Sequence, residues 1–293
     1  MILLDGKIAA SAIKEKLKTQ ITQATEKAGR PPHLAAILVG NDGASETYVA
    51  SKIKNCALTG IKSSLVRLAD TVPEYELIEA IKKLNADDHV DGILVQLPLP
   101  AHIKEENIIS VIAPHKDVDG FHPVNAGKLM LDQKGFIPAT PLGIMLLLQH
   151  YHIETSGKHA VVIGRSNIVG RPMSVLLSRN NNPGNCTVTL THSRTKNLPD
   201  ICRQADIIVA ALGKPGFLTS QMVKAGAVII DVGITRVKDE TKLSGYSLKG
   251  DVDFASVSQT AGYITPVPGG VGLMTIAALL TNTYEAFLNN THQ

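Results

Sequence analysis

With 293 residues, 44% of them hydrophobic and 19% charged, the chain can build one large or two ordinary globular domains. A net charge of +3 with basic and acidic residues interleaved, and 4% aromatics without tryptophan, argue against a nucleic-acid or anionic-membrane partner. The three cysteines (Cys56, Cys186 and Cys202) make no CxxC and no even set, so the expectation is no disulfide framework, no metal site and a cytoplasmic setting.

The N-terminal stretch MILLDGKIAASAIK runs straight into an amphipathic pattern and lacks the character of a targeting segment. HLAAILVG (33–40) reads as a buried strand, 44–59 as a helix and SLVRL (64–68) as a second strand. EYELIEAIKKLN (74–85) is helical, GILVQL (92–97) is a third strand, and 104–112 is a short helix. Continuous apolar strands alternating with helices predict a parallel sheet covered on both faces. Residues 113–140 break that rhythm with Pro, Gly and Asp and read as loops. A helix over 142–151 follows, then strands at 159–164, 187–192, 207–212 and 227–233, with helices at 172–179 and 219–225. The Gly-rich PVPGGVG (266–272) precedes a last helix near 273–289. No apolar run approaches the roughly 20 residues of a membrane span. Two α/β halves are expected, joined near 140–150, with the last helix returning to the first half.

The second half opens with VVIGRSNIVGRP (161–172): strand, Gly164, loop, Gly170, helix. This is not GxGxxG. Yet Gly164 permits a tight turn off the strand, and amides at the helix start suit a pyrophosphate. A plain strand-to-helix turn remains the alternative. The next strand ends THSRT (191–195), with no acid to hold a ribose 2′-hydroxyl. Ser193 and Arg194 there, and Arg165 after the first strand, suit a 2′-phosphate, so NADP is favoured over NAD, with ordinary solvated surface residues as the alternative.

In the first half, ETYVASK (46–52) puts Tyr48 and Lys52 one helical turn apart. Val49, Ile53 and Cys56 form an apolar stripe, with Tyr48, Lys52 and Asn55 beside it at its edge. A lysine there is either a partly desolvated base or a side chain reaching out to solvent. Gln96, the one polar residue of ILVQL, stands at the carboxyl end of its strand, as a ligand contact or a loop anchor. Asp119, in DVDG (117–120), reads by itself as a turn aspartate bonding its own backbone. A short-chain dehydrogenase is rejected, because YxxxK here precedes the glycine loop instead of following it.

Taken together and in order, YVASK, VQLPLP, DVDG, PATPLG, GRSNIVGRP, HSRT, DVGI and PVPGGVGLMT resemble the bifunctional methylenetetrahydrofolate dehydrogenase/cyclohydrolase family over about residues 1–290. The resemblance implies two α/β domains separated by a cleft: a folate-binding catalytic parallel-sheet domain over 1–140, completed by a C-terminal helix over 273–293, and a Rossmann-like NADP-binding domain over 141–272. It implies NADP-dependent oxidation of 5,10-methylenetetrahydrofolate and hydrolysis of the methenyl product to 10-formyltetrahydrofolate. Lys52 matches the catalytic lysine, Tyr48 a residue lining the folate, Gln96 the residue that tunes the lysine, and Asp119 the aspartate on the pterin ring. Gly164, Arg165, Ser166, Ser193 and Ile234 match dinucleotide contacts, and Pro268, Gly269 and Gly270 substrate contacts. No metal and a homodimer are further implications. Two positions depart from the pattern: Ala139 replaces a cysteine in P-C-T-P, and Leu273 replaces a proline in G-G-V-G-P-M-T, which is expected to loosen the start of the last helix.

Overall fold

The computed structural model describes residues 1–242 and 245–291. Its elements in chain order are β1 (Ile2–Leu3), α1 (Gly6–Ala28), β2 (His33–Val39), α2 (Gly43–Thr59), β3 (Lys62–Leu68), α3 (Glu74–Ala86), β4 (Gly92–Val95), α4 (Glu105–Val111), α5 (Pro123–Met130) and α6 (Ala139–His150). There follow β5 (His159–Ile163), α7 (Gly170–Ser178), β6 (Thr187–Thr191), α8 (Leu198–Arg203), β7 (Ile207–Ala210), a 3-10 turn (Ser220–Met222), β8 (Val228–Asp231), β9 (Thr235–Lys238), β10 (Tyr246–Lys249), α9 (Phe254–Val257), β11 (Tyr263–Ile264) and α10 (Val271–Thr291).

The chain divides into two compact units. One comprises Ala12–Ala139 with Ile276–Gln293, the other Met1–Ser11 with Thr140–Thr275. The first eleven residues therefore leave the half to which the sequence reading assigned them. The cause is strand pairing: β1 lies parallel to β11, and Leu4 N–H continues the ladder to the Ile264 carbonyl (2.8 Å). A two-residue strand carries no periodicity to read. The last helix was expected to reach 293; residues 292 and 293 lie outside the described residues.

The unit containing Lys52 holds a three-stranded parallel sheet in the order β3-β2-β4. Every residue of β2 and β4 is buried, as continuous apolar runs between two helical layers require. Ile37, Leu77, Ile81, Ile93 and Ile108 anchor its core. Asp91, at the entry to β4, is fully buried and takes both Arg30 guanidinium nitrogens (2.7 and 2.8 Å) and the His33 N–H (2.9 Å). Such a buried carboxylate persists because it is paired and hydrogen-bonded on both oxygens.

Residues 113–140, expected as loops, contain α5. Pro123 occupies its first turn and His122 Nδ1 accepts from Val124 N–H (3.1 Å), so the residues that read as breakers are its start signals. The predicted helix over 219–225 contracts to the 3-10 turn, and β9 and β10 form an antiparallel hairpin that the sequence reading did not resolve.

The other unit carries a six-stranded parallel sheet in the order β1-β11-β8-β7-β5-β6. The chain steps from β5 outward to β6, then back across to β7, so the order reverses between β5 and β7. Ligands of open parallel sheets bind beyond the carboxyl ends at such a reversal.

α10 is long and apolar enough by composition to cross a membrane, with mean hydropathy 1.3 over its best window, which corrects the expectation that no run comes near that limit. Two-thirds of that window is buried inside the protein, and a helix enclosed on most sides is apolar on most sides. Leu273 N–H donates to the Gly270 carbonyl (3.2 Å), a bond that a proline could not make, so the start of α10 is tied where the substitution was expected to loosen it.

Asn282 of α10 donates to the carbonyls of Val118 (2.8 Å) and Ile137 (2.9 Å). Asn282→Leu leaves both without this donor in a buried place and is expected to destabilise the fold by about 3 kcal/mol, read as a lowered urea midpoint with unchanged slope.

Candidate active site

Local signals fix α2 at both ends. Asp42 accepts from Ser45 N–H (2.8 Å) at its start, and Gly60, at φ 85°, closes it in the left-handed conformation. The buried residues of α2 are Ser45, Val49, Lys52, Cys56 and Thr59. That stripe includes the lysine, whereas the sequence reading set Lys52 at the edge of a stripe running through Ile53. Ile53 is only half-buried. Hydrophobicity favoured isoleucine as the inward residue; the helix geometry turns the lysine inward instead.

Lys52 is 5% exposed. Its ammonium nitrogen lies 4.6 Å from the centre of the Tyr48 ring, a geometry that favours the charged form. It donates to Gln96 Oε1 at 3.1 Å. Gln96 follows the last residue of β4, and its own N–H extends the ladder to Ile37 (2.9 Å). Its amide nitrogen donates to the Leu97 carbonyl at 2.6 Å. A carbonyl only accepts, so the amide has one consistent orientation: nitrogen to Leu97, oxygen to the lysine.

Asp119 reaches this group through the segment after α4. Lys116 plants its ammonium on the carbonyls of Leu84, Asn85 and Asp87 at the end of α3 (3.2, 2.9 and 2.7 Å). Asp117 accepts from the N–H groups of Phe121 (3.2 Å) and His122 (2.8 Å) and from the Asn125 amide (2.8 Å). The aspartate that binds the turn in DVDG is thus Asp117, not Asp119 as its pattern alone suggested.

Burial lowers the Lys52 pKa, opposed by the charge of Asp119 and then by Cys56. Burial likewise pushes the Asp119 carboxyl up to about 6, with Lys52 pulling it back. Desolvation drives both partners toward neutrality while their attraction resists. The Cys56 thiol, one turn along the helix, is pushed up to about 12 by burial and stays protonated near neutral pH.

In the other unit, β5 ends at Ile163, and Gly164 N–H bonds the Thr191 carbonyl (3.0 Å), so the ends of β5 and β6 lie side by side. Gly164 has φ 117°, and a Cβ there would collide with the Ala211 carbonyl oxygen. A Cβ on Gly170 would collide with the Gly164 carbonyl oxygen. The turn is built for close backbone approach, as a dinucleotide phosphate site demands. Ser166 Oγ accepts from Val169 and Gly170 N–H (3.2 and 3.3 Å), so two amides expected for a pyrophosphate are held by the protein and the hydroxyl hydrogen is left to donate. Arg165, Ser166, Ser193 and Arg194 are exposed at the carboxyl ends of β5 and β6. Hydroxyl and guanidinium groups without a carboxylate fit a phosphorylated ribose. Ile234, 55% exposed, stands past the end of β8, and Pro268, Gly269 and Gly270 follow β11 in the same unit. The structure thus gathers Tyr48, Lys52, Gln96 and Asp119 in one unit, and the remaining predicted site residues in the other.

Sequence reasoning passed over two buried carboxylates in this second unit, Asp231 and Asp251. Asp231 closes the otherwise apolar AVIID, the signal that singled out Gln96 in ILVQ.

Fold and site define a dinucleotide-binding α/β protein with a separate lysine-centred unit. Comparison with known proteins narrows the class. The family description "Tetrahydrofolate dehydrogenase/cyclohydrolase, catalytic domain" matches residues 4–119, and its NAD(P)-binding domain matches 138–291. The bifunctional protein FolD of Flavobacterium johnsoniae is 59% identical over 98% of this chain and 97% of its own. The crystal structure of the FolD dehydrogenase/cyclohydrolase from Campylobacter jejuni superposes with a TM-score of 0.92 at 51% identity, covering 99% of each chain. That of the Trypanosoma brucei enzyme, solved with NADP and an inhibitor, gives 0.95 at 38% identity over 100% of this chain and 99% of its own. The chain belongs to the tetrahydrofolate dehydrogenase/cyclohydrolase family.

Replacing Asp119 by Asn removes the largest influence that raises the Lys52 pKa. The Lys52 side chain in Asp119→Asn should therefore titrate at lower pH than in the parent protein, followed by the NMR shift of its labelled ε-carbon.

Proposed function

We propose that this chain oxidises 5,10-methylenetetrahydrofolate with NADP to the 5,10-methenyl cation and hydrolyses that cation to 10-formyltetrahydrofolate, a two-step interconversion of one-carbon metabolism. The observation that carries the reading is the buried Lys52 amine, held by an uncharged amide oxygen and opposed by a single carboxylate.

NADP, when bound, supplies the acceptor for the departing hydride. Gly164, Arg165, Ser166, Ser193 and Ile234 hold it, with Arg165 and Ser193 on the 2′-phosphate. The carbon that loses hydride is flanked by two nitrogens, so the product cation is self-stabilised. Hydrolysis then requires a proton acceptor for water and a proton donor at the nitrogen whose bond breaks. Lys52 serves as both in turn: its free amine takes a proton from the attacking water and the ammonium gives it to the departing nitrogen, while the carbinol hydroxyl loses the net proton to solvent as the formyl carbonyl forms. Burial already favours the free amine, and the methenyl cation pushes the same way by like-charge repulsion. Gln96 orients the amine without restoring its charge. Tyr48 lines the folate, Asp119 binds the pterin ring, and Pro268, Gly269 and Gly270 contact the substrate.

The domain carrying Lys52 is the folate domain in this reading, and the six-stranded domain takes the nucleotide. A homodimer through the nucleotide domain belongs to the same reading; β6, an edge strand with half-buried Val188 and Leu190, is suited to it. A reducing, cytoplasmic setting agrees with three free and buried cysteines.

One absorbance assay following NADPH and the methenyl chromophore tests the whole: formation of both from methylenetetrahydrofolate and decay of the second is expected, and failure to form NADPH defeats the reading. Lys52→Met should abolish decay of the methenyl compound and leave NADP binding intact. Gln96→Glu places a carboxylate on the amine and raises its pKa. Hydrolysis should then slow at neutral pH and its rising limb move to higher pH. Arg165→Ala should raise KM for NADP about tenfold and leave KM for NAD nearly unchanged; equal effects would remove the 2′-phosphate assignment.

A further inference from the structure

Behind the nucleotide-side loops lies a pair of buried carboxylates to which the reaction gives no role. Asp231 ends β8 and is 3% exposed; Asp251 follows β10 and is fully buried. Between them they accept six backbone N–H bonds. Asp251 Oδ2 takes Leu212 (2.5 Å) and Gly213 (3.0 Å), and its Oδ1 takes Lys214 (2.7 Å). Asp231 Oδ1 takes Gly233 (3.0 Å) and Asp251 (2.8 Å), and its Oδ2 takes Val252 (3.0 Å). Each oxygen thus acts as an acceptor. Burial and the neighbouring Asp251 charge push Asp231 up to about 6, against the pull of the amides of Val252, Asp251 and Gly233.

The packing around the pair is equally specific. A Cβ on Gly233 would overlap a carboxylate oxygen of Asp251, and one on Gly250 would overlap Asp231. Both flanking positions are glycine because the backbone passes directly over the carboxylates. The segments so held are the loop after β7 (212–214) and the start of the loop after β8 (Gly233, which carries Ile234). Both lie at carboxyl ends on the far side of the β5/β7 reversal, and a Cβ on Gly164 would strike Ala211, at the head of the first loop. A dinucleotide lying across that reversal passes from the Gly164 turn to these two loops.

Resting on the NADP-dependent activity proposed above, we infer that Asp251 and Asp231 are positioning residues of the dinucleotide site, fixing from behind the loops at 212–214 and 233–234 that receive the half of NADP beyond the reversal. Neither carboxylate touches the ligand in this arrangement; the backbone they hold does. An exposed loop containing Gly213 and Gly216, at φ 68° and 66°, has many alternative conformations, and three charge-assisted bonds select one.

The test is Asp251→Asn, which keeps side-chain volume but turns an amide N–H₂ toward one set of N–H donors. NADP affinity is measured by isothermal titration, KM and kcat by the NADPH assay, and hydrolysis by methenyl decay without NADP. Affinity for NADP is expected to weaken, and KM for NADP to rise, by about tenfold, with kcat at saturating NADP and the hydrolysis rate changing by less than about twofold. Unchanged NADP affinity in a folded variant overturns the inference. Parallel loss of hydrolysis and NADP affinity in a folded variant also overturns it, since the carboxylate then supports the whole fold and not the two loops. Should Asp251→Asn not fold, Asp231→Asn gives the same readings through Gly233. A wild-type chain that binds NADP but oxidises no folate defeats the proposed function and leaves the titration to decide the carboxylates' role.

Discussion

The burial of a single amine constrains everything around it. An ammonium taken out of water needs compensation on every side, or it gives up its proton. Around Lys52 the compensation is partial: one amide oxygen, one aromatic face and one nearby carboxylate. The three partners come from α2, from the end of β4 and from the segment after α4, so the amine requires the sheet and both connections to be in register. The devices that set that register are distant in sequence. Asp42 starts α2, Lys116 and Asp117 fix the approach to Asp119, and Asn282 on α10 holds the carbonyl just before it.

The second unit solves a different problem with the same sheet grammar. Its polar work is done by backbone: glycines remove Cβ atoms where chains must nearly touch, and carboxylates and hydroxyls hold the amides that remain. In both units the polar groups of the site cluster where strands end, because the central strands β2, β4, β7 and β8 are fully buried and mainly apolar. Gln96, Gly164 and Asp231 each terminate or directly follow an apolar run.

That contrast explains what the sequence made legible. β2, β4, β5, β7 and β8 are continuous apolar runs bounded by turn residues, and all five were visible. β1, β11 and the β9–β10 hairpin were not, because two to four mostly exposed or half-buried residues carry no period. α5 hid behind Pro123 and Gly127, which read as punctuation although the proline opens the helix. At the site, residue types were legible and environments were not. The stripe through Ser45, Val49, Lys52, Cys56 and Thr59 is the buried one, yet any ranking by hydrophobicity places Ile53 ahead of the lysine. Likewise DVDG displays two aspartates with no hint of which binds the turn; only the hydrogen bonds of Asp117 separate them.

The choice of partners also limits where protons can go near Lys52. A carboxylate in contact with the amine would compete for its proton and hold it. A glutamine whose nitrogen is committed to the Leu97 carbonyl can accept a hydrogen bond from the amine in either charge state and can exchange no proton with it. The Cys56 thiol, driven up to about 12, is equally inert near neutral pH. That leaves Lys52 and Asp119, whose pKa values burial moves toward each other. Such convergence makes the charge of the amine sensitive to whatever third charge arrives. A cation placed beside it tips Lys52 toward the free base, and removal of that cation lets it recharge. In the function proposed above, an amine poised in this way would change protonation state with its ligand without movement of the fold.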